Sequence, residues 1–207
     1  MGPYFSMTLQ FEHKRLKPTF VEELYSKIIS CGFGFKSGFW FHGNAKLDEI
    51  IKWNQKLLEK GFKLGYKQYV KHDYMQILFN SEVYSEFRGY WMYSENQITF
   101  NIIIPEFDII NYDTFIDEKV FPVKQLALEI WKSNIVDSIQ TSVEFDFGYA
   151  SLSEISDGKD ISVHPFAILK EDDYKRFSED YFNTYLITEV CNDGILVENN
   201  GKITHGF

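Results

Sequence analysis

Residues 87–104 decide the fold, and they read FRGYWMYSENQITFNIII. Two runs rich in β-branched and aromatic residues, 87–93 and 97–104, flank a short polar turn, which is the pattern of an antiparallel hairpin. The run Ile102–Ile104 is β-branched throughout, and this composition favours a strand that is buried on both faces. A similar run at 74–79 precedes the pair, so the sequence predicts a three-stranded meander.

Four amphipathic segments outside this block predict helices. They cover residues 20–30, 45–60, 122–133 and 171–182. Apolar residues in these segments recur at spacings of three and four, which places them on one face of a helix. We expect Thr19 to cap the first helix, with Glu22 completing a capping box.

Further strands are predicted at 142–149, 161–169, 185–190 and 195–198. The Asp-Gly pair of Cys191–Gly194 is a strong hairpin signal between the last two. Adjacent strands without alternating helices favour the α+β class, and 207 residues fit one domain. We therefore predict a single α+β domain over 1–207, in which about four helices pack on a mainly antiparallel sheet of about six or more strands. Residues 1–7 read as disordered or as added sequence, and we leave them out of the fold.

The negative charge of the chain is concentrated in its second half. Residues 1–110 carry 13 Lys and Arg against 12 Asp and Glu, whereas residues 111–207 carry 8 against 18. An acidic surface repels nucleic acid and attracts basic proteins. Lysines interleave with aromatic residues at 56–72, but the chain as a whole has a net charge of −9, so we expect no direct nucleic-acid partner.

Motifs for catalysis, cofactors and membranes are missing from the sequence. There is no G-x-S-x-G, no phosphate-binding loop, no pair of cysteines or histidines at metal-ligand spacing, and no apolar run long enough to span a membrane. The two cysteines, Cys31 and Cys191, suit free thiols in a reducing compartment. We therefore expect a cytoplasmic protein without cofactor or metal, and not an enzyme.

Two carboxylate pairs keep an enzymatic alternative open. Glu144 and Asp146 are predicted to share one face of a strand, about 6–7 Å apart. Glu106 and Asp108 close the strand that ends at Ile104. Two carboxylates at such a spacing can divide acid and base roles or hold a magnesium ion, although the lysine of a nuclease motif does not follow Asp146.

The acidic clusters of the second half favour a protein-binding surface instead. If they converge, they would accelerate the encounter with a basic partner, while neighbouring tyrosines would supply buried contacts. The partner-binding residues that we predict are Glu144, Asp146, Tyr149, Asp172 and Asp173.

The chain resembles the immunity proteins of bacterial polymorphic-toxin systems in its profile: small, acidic, aromatic-rich and α+β. The segments that carry the resemblance are Phe87–Trp91 (FRGYW), Phe100–Glu106 (FNIIIPE) and Ile130–Trp131. The resemblance implies a cytosolic protein that occludes the active site of a cognate toxin domain, often a basic nuclease. An enzyme of an unrecognised family and a phage or host accessory interaction protein remain alternatives, and the sequence leaves the oligomeric state open.

Overall fold

The computed structural model describes residues 4–61, 75–94, 97–112, 114–143 and 150–199. Its helices are α1 (Phe20–Ser30), α2 (Leu47–Glu59), α3 (Asp117–Lys132), α4 (Leu152–Ser156) and α5 (Glu171–Tyr174). Its strands are β1 (Tyr4–Phe11), β2 (Phe35–Gly38), β3 (Ile77–Phe79), β4 (Arg88–Tyr93), β5 (Ile98–Pro105), β6 (Ile110–Asn111), β7 (Thr114–Phe115), β8 (Ser138–Ser142), β9 (Phe166–Lys170), β10 (Leu186–Val190) and β11 (Gly194–Glu198).

One large sheet organises the described part of the chain. Its nine strands there run in the order β10-β11-β9-β8-β1-β5-β4-β3-β2, and β6 pairs separately with β7. The strands pair antiparallel throughout, and one isolated bridge, between Thr141 and Val163, is parallel. The predicted α+β class with a mainly antiparallel sheet is therefore confirmed, as are the meander β3-β4-β5 and the hairpin β10-β11.

The strand at the centre of the sheet is β1, and this corrects our treatment of the first residues. Tyr4–Phe11 pairs with β5 on one side and with β8 on the other. Phe5 and Met7 are fully buried. The expectation that residues 1–7 lie outside the fold is wrong from Tyr4 onward, because the alternation of apolar and polar residues that continues through Phe11 already begins at Phe5.

One face of the sheet carries the main hydrophobic core under α1, α2 and α3. Tyr25 of α1 lies within ring-contact distance of Trp91 and Phe100, and Phe11 packs edge-on against Phe20 with the ring centroids 4.9 Å apart. All five rings are buried. The unusual aromatic content of the chain therefore fills this core, where each ring removes a large area from water.

The opposite face of the central strands is polar yet buried. The hydroxyl of Thr8 donates to Asn101 Oδ1 at 2.8 Å, and Gln140 Nε2 donates to Gln10 Oε1 at 2.7 Å. Gln10 Nε2 donates in turn to the carbonyl oxygen of Ala150 at 2.8 Å. These side chains satisfy one another, as buried polar groups must. A second apolar cluster lies at one end of the sheet.

Several predicted element bounds need correction. The bounds of α1 are as predicted, but Thr19 does not cap it; its hydroxyl donates to Glu23 instead. Helix α3 begins at Asp117, five residues before Pro122. The predicted helix 171–182 ends at Tyr174 and continues as turns. Pro165 predicts an edge or a bulged position for the strand at 161–169. Strand β9 is instead an interior strand, because Pro165 precedes it and leaves its ladder intact.

Candidate protein-binding site

Residues 150–199, which we call the acidic lobe, carry 11 Asp and Glu against 4 Lys and Arg. The lobe contains α4, α5 and the last three strands of the sheet, and the structure describes all of it. Most of the net charge of the chain thus comes from one quarter of its length.

A second hydrophobic cluster holds the lobe together. It lies on the face of β9 and β11 that points away from α3. Its buried members are Ala150, Ile155, Ile161, Val163, Ala167, Leu169, Phe177, Phe182, Ile195 and Val197. Strand alternation explains the arrangement, since the intervening residues Phe166, Ile168 and Leu196 belong to the main core.

Close contacts tie the acidic segments of the lobe to each other. Gly158, after α4, packs so tightly against the carbonyl group of Arg176 that an added Cβ would lie 2.2 Å from the carbonyl oxygen. The Tyr181 hydroxyl donates to Asp160 Oδ1 at 3.3 Å. The Glu171 N–H donates to the carbonyl oxygen of Asp193 at 2.7 Å. The segments around Asp160, Glu171 and Asp193 therefore form one folded unit rather than separate loops.

The basic residues of the lobe are largely neutralised within the fold. Lys159 pairs with Asp157 at 2.8 Å, and Lys175 pairs with Glu171. Lys170 points out of the lobe to Asp137, with 2.6 Å between Nζ and Oδ1. Lys124 of α3 also pairs with Glu198, but the other carboxylates of the lobe still outnumber its basic residues.

Neighbouring charges shift the pKa of several lobe residues. The hydrogen bond and charge of Lys159 lower the pKa of Asp157, and Glu171 raises the pKa of Lys175, with further contributions from Asp172 and Asp193. Burial raises the pKa of Tyr181, and the negative charge of Asp160 raises it further. These shifts favour the ionised form of Asp157 and the protonated form of the Tyr181 hydroxyl.

The predicted contact residues fall into two groups. Asp172 and Asp173 lie on α5, where Asp172 is exposed and Asp173 is half-buried. Glu144, Asp146 and Tyr149 lie outside the described residues, so their place beside α5 stays a prediction.

The acidic lobe contains an aromatic cluster, and one of its rings, Tyr181, contacts a carboxylate, Asp160. Phe182 is its centre: Tyr174 stacks on it at 5.3 Å between centroids, and Phe177, Tyr181 and Tyr185 surround it at 4.7–5.6 Å. The three tyrosines are half-buried. Rings with one side packed and one side exposed are suited to a protein interface.

In the second carboxylate pair of the enzymatic alternative, the Asp108 side chain holds a neighbouring turn. Glu106 and Asp108 lie in a single 3-10 turn after β5. Asp108 Oδ2 accepts hydrogen bonds from both the N–H and the hydroxyl of Ser85, at 2.7 and 2.6 Å. Among the described residues, no group of three or more His, Cys, Asp and Glu side chains is arranged to hold a metal ion.

A groove of about 760 Å³ lies between the end of α1 and one side of α3. Cys31 and Phe121 line it, together with Lys27 and Glu129, which pair with each other at 3.2 Å. Burial raises the pKa of the Cys31 thiol. This shift is opposite to the one that activates a catalytic cysteine.

Over the described ranges, none of the helices combines the length and the apolar character that a membrane span requires.

Comparison with known proteins yields one distant structural likeness. No family model matches the chain, and no curated protein matches it. Among solved structures, the Pseudomonas aeruginosa T6SS protein PA0821 is similar, with 10% identity and a TM-score of 0.44 over 99% of this chain and 68% of that chain. A likeness at this level does not transfer function.

Proposed function

We propose that this chain is a binding protein that neutralises a basic protein partner by occlusion, and that the partner is a cognate toxin domain. The observation that carries the proposal is the acidic lobe, in which 11 carboxylates stand against 4 basic residues around one apolar cluster. Complementary charge accelerates encounter by about 10–1000-fold and sets specificity, whereas buried rings supply affinity.

Occlusion requires no chemistry from this chain. Asp172 and its neighbours would pair with the Lys and Arg residues that contact the toxin's own substrate, and Tyr174 and Tyr181 would pack at the edge of the contact. A basic nuclease fits this role, since its phosphate-binding surface is complementary to a carboxylate surface.

The first experiment tests neutralisation in cells. The protein encoded by the gene adjacent to this one is expressed from an inducible promoter, with and without this chain, and growth is recorded. We expect the adjacent gene product to be basic and toxic, and co-expression to restore growth. Growth arrest that this chain does not relieve would contradict the proposal.

The second experiment tests the acidic lobe itself. Asp172→Lys with Asp173→Lys should slow association with the purified toxin about tenfold at low salt and flatten its salt dependence. The matched control is Glu22→Lys with Asp48→Lys, which reverses two exposed charges near the opposite end of the sheet. Equal association rates for the two double variants would contradict the placement of the binding surface.

A further inference from the structure

The two edges of the large sheet differ in how they are protected. At one end, β2 contains Lys36, has a register shift between Phe35 and Ser37, and is covered by the 3-10 turn Trp40–His42, which packs directly on Gly38. Bulges, lysines and covering elements are the devices by which proteins stop an edge from pairing with another strand.

The edge at the other end, β10, is less protected within the described residues, and its one charged side chain is Glu189. Its sequence, LITEV, contains no Lys and no Pro, and its register with β11 is regular from Leu186 to Val190. In the part of the chain that the structure describes, β11 is its only strand neighbour. The strand is also exposed: Leu186 is 50% accessible, and Thr188 and Glu189 are exposed.

The hydrogen-bond pattern identifies which backbone groups face outward. The N–H of Asn199, just after β11, donates to the Pro165 carbonyl oxygen. The carbonyl oxygen of Asp193, just before β11, accepts from the Glu171 N–H. The odd-numbered residues of β11 therefore direct their backbone N–H and C=O groups towards β9. Even-numbered residues of β11 therefore face β10, where Leu196 lies opposite Thr188. It follows that Ile187 and Glu189, which lie opposite odd-numbered residues, direct their N–H and C=O groups away from the sheet.

The charge around this edge identifies the kind of strand that it would accept. Residues 177–199 contain five carboxylates, among them Glu189 on β10 and Asp193 in its turn, and no Lys or Arg. A second copy of this chain would bring a second acidic lobe against the first, and like charges in apposition disfavour that contact. A segment bearing Lys or Arg would instead be attracted.

We propose that β10 accepts an extended Lys- or Arg-bearing segment of the basic partner as an additional strand, paired to the outward backbone groups of Ile187 and Glu189. This inference rests on the proposed function and specifies how the partner is held. Backbone pairing supplies affinity in such complexes, and alternate side chains supply specificity. The carboxylates of the lobe then steer the segment to an edge that already has the geometry to bind it.

The test uses the peptide KVKVKVKVK, capped at both ends and labelled with fluorescein, and measures binding by fluorescence anisotropy. The informative pair of variants is Glu189→Pro, which removes the outward N–H, and Glu189→Ala, which keeps it. Proline is tolerated on an edge strand whose N–H faces solvent, and circular dichroism with thermal unfolding confirms the fold. We expect Glu189→Pro to weaken binding about tenfold or more and Glu189→Ala only about two- to threefold.

Two further measurements test the charge preference of the edge and the exposure of its backbone groups. The peptide EVEVEVEVE should bind at least about tenfold more weakly than the lysine peptide at low salt. Amide hydrogen exchange should be fast at Ile187 and Glu189 and slow at Thr188 in the free protein, and the peptide should slow it at the first two. Slow exchange at Ile187 and Glu189 without peptide, or no peptide binding, would overturn the proposal.

The variants separate this proposal from the proposed function. Suppose that Glu189→Pro binds the lysine peptide like wild type, whereas Asp172→Lys with Asp173→Lys does not bind it. The acidic lobe is then the docking surface, and strand addition is wrong. If only Glu189→Pro loses binding, the strand proposal holds and electrostatic docking on α5 fails. A dimer that Glu189→Pro abolishes would show that a second copy occupies the edge, which also overturns the choice of a basic segment.

Discussion

At the scale of single residues, Tyr25 shows how a polar atom is placed in an aromatic core. Its hydroxyl accepts a hydrogen bond from Trp91 Nε1 at 2.8 Å and another from Asn54 Nδ2 at 3.1 Å. Burial raises the pKa of Tyr25 far above its usual value, which favours the neutral hydroxyl. One oxygen atom thus connects α1 to α2 and to β4.

The first prediction concerns this oxygen. Tyr25→Phe leaves the buried Trp91 N–H without its acceptor, so we expect the free energy of unfolding to fall by about 1–3 kcal/mol. Urea unfolding followed by tryptophan fluorescence measures the loss. Tyr112→Phe is the control, because Tyr112 is 93% exposed. Equal stability of the two variants would show that the Tyr25 hydroxyl does not matter to the fold.

At the scale of elements, the end of α3 is bound to the β10–β11 turn. Trp131 Nε1 donates to the carbonyl oxygen of Cys191 at 2.8 Å, and Asn192 Nδ2 donates to the carbonyl oxygen of Trp131 at 3.2 Å. Gly194 lies under the indole, where an added Cβ would fall 2.2 Å from Trp131 Nε1. The absence of a side chain at this position is what lets the helix and the hairpin meet.

The second prediction follows from that close approach. Gly194→Ala should lower the free energy of unfolding by about 1–3 kcal/mol, because the indole or the hairpin has to shift. Amide exchange should also accelerate in β10 and β11. Gly34→Ala is the control, since its nearest neighbour would be 3.9 Å away. A variant as stable as the control would show that α3 does not fix the hairpin.

The sequence correctly predicted the elements that are set by interactions between residues close together in the chain. The bounds of α1, the meander and the Asp-Gly turn all follow from periodicity or turn chemistry. The start of α3 was missed because proline usually indicates a first turn, whereas the burial of Val120 extends this helix upstream of Pro122. The helix predicted at 171–182 is wrong beyond Tyr174. There the chain follows turns instead, and these turns let Phe177 and Phe182 pack against each other in a ring cluster.

The acidic composition of the candidate site could be predicted from the sequence, but the arrangement of its strands could not. Charge counts identified the second half of the chain, and the role of Asp172 and Asp173 as contact residues stays a prediction. The exposed edge at β10 could not be predicted, because it depends on strand order. That order places β11 beside β9 and leaves β10 last, and it is set by contacts far apart in sequence.

At the scale of the whole molecule, Asp137 joins the ends of three strands. Its carboxylate accepts from the Glu12 N–H after β1, from Arg15, and from Lys170 at the end of β9. Its side chain is 1% exposed. Burial alone would raise the pKa of Asp137, but the hydrogen bonds from Arg15, Lys170 and the Glu12 N–H outweigh burial and lower it. The charged form is therefore the one that the fold stabilises.

The third prediction is a pH dependence with a definite sign. A carboxyl whose pKa is lower in the folded state binds its proton more readily in the unfolded chain. Its stabilisation is therefore present above the unfolded pKa of about 3.9 and is lost as the pH falls towards the folded value. The free energy of unfolding should fall between about pH 5 and pH 3, and less steeply in Asp137→Asn.

The same variant is informative at neutral pH. Asp137→Asn leaves Arg15 and Lys170 without their shared counter-charge, and we expect a loss of about 3–5 kcal/mol. Asp172→Asn, on the exposed surface of α5, is the control and should change little. If the unfolding curves of both variants have the same pH slope as wild type, Asp137 is not the group that titrates.

The central position of β1 has a consequence for synthesis on the ribosome. Thr8 meets Asn101, 93 residues later, and Gln10 meets Gln140, 130 residues later. At about 5–20 residues per second, the nascent chain presents the unpaired row Phe5, Met7, Leu9 and Phe11 for several seconds before both neighbouring strands have been made. Such late closure predicts slow maturation and a need for protection of the newly made β1 segment until residue 142 has emerged.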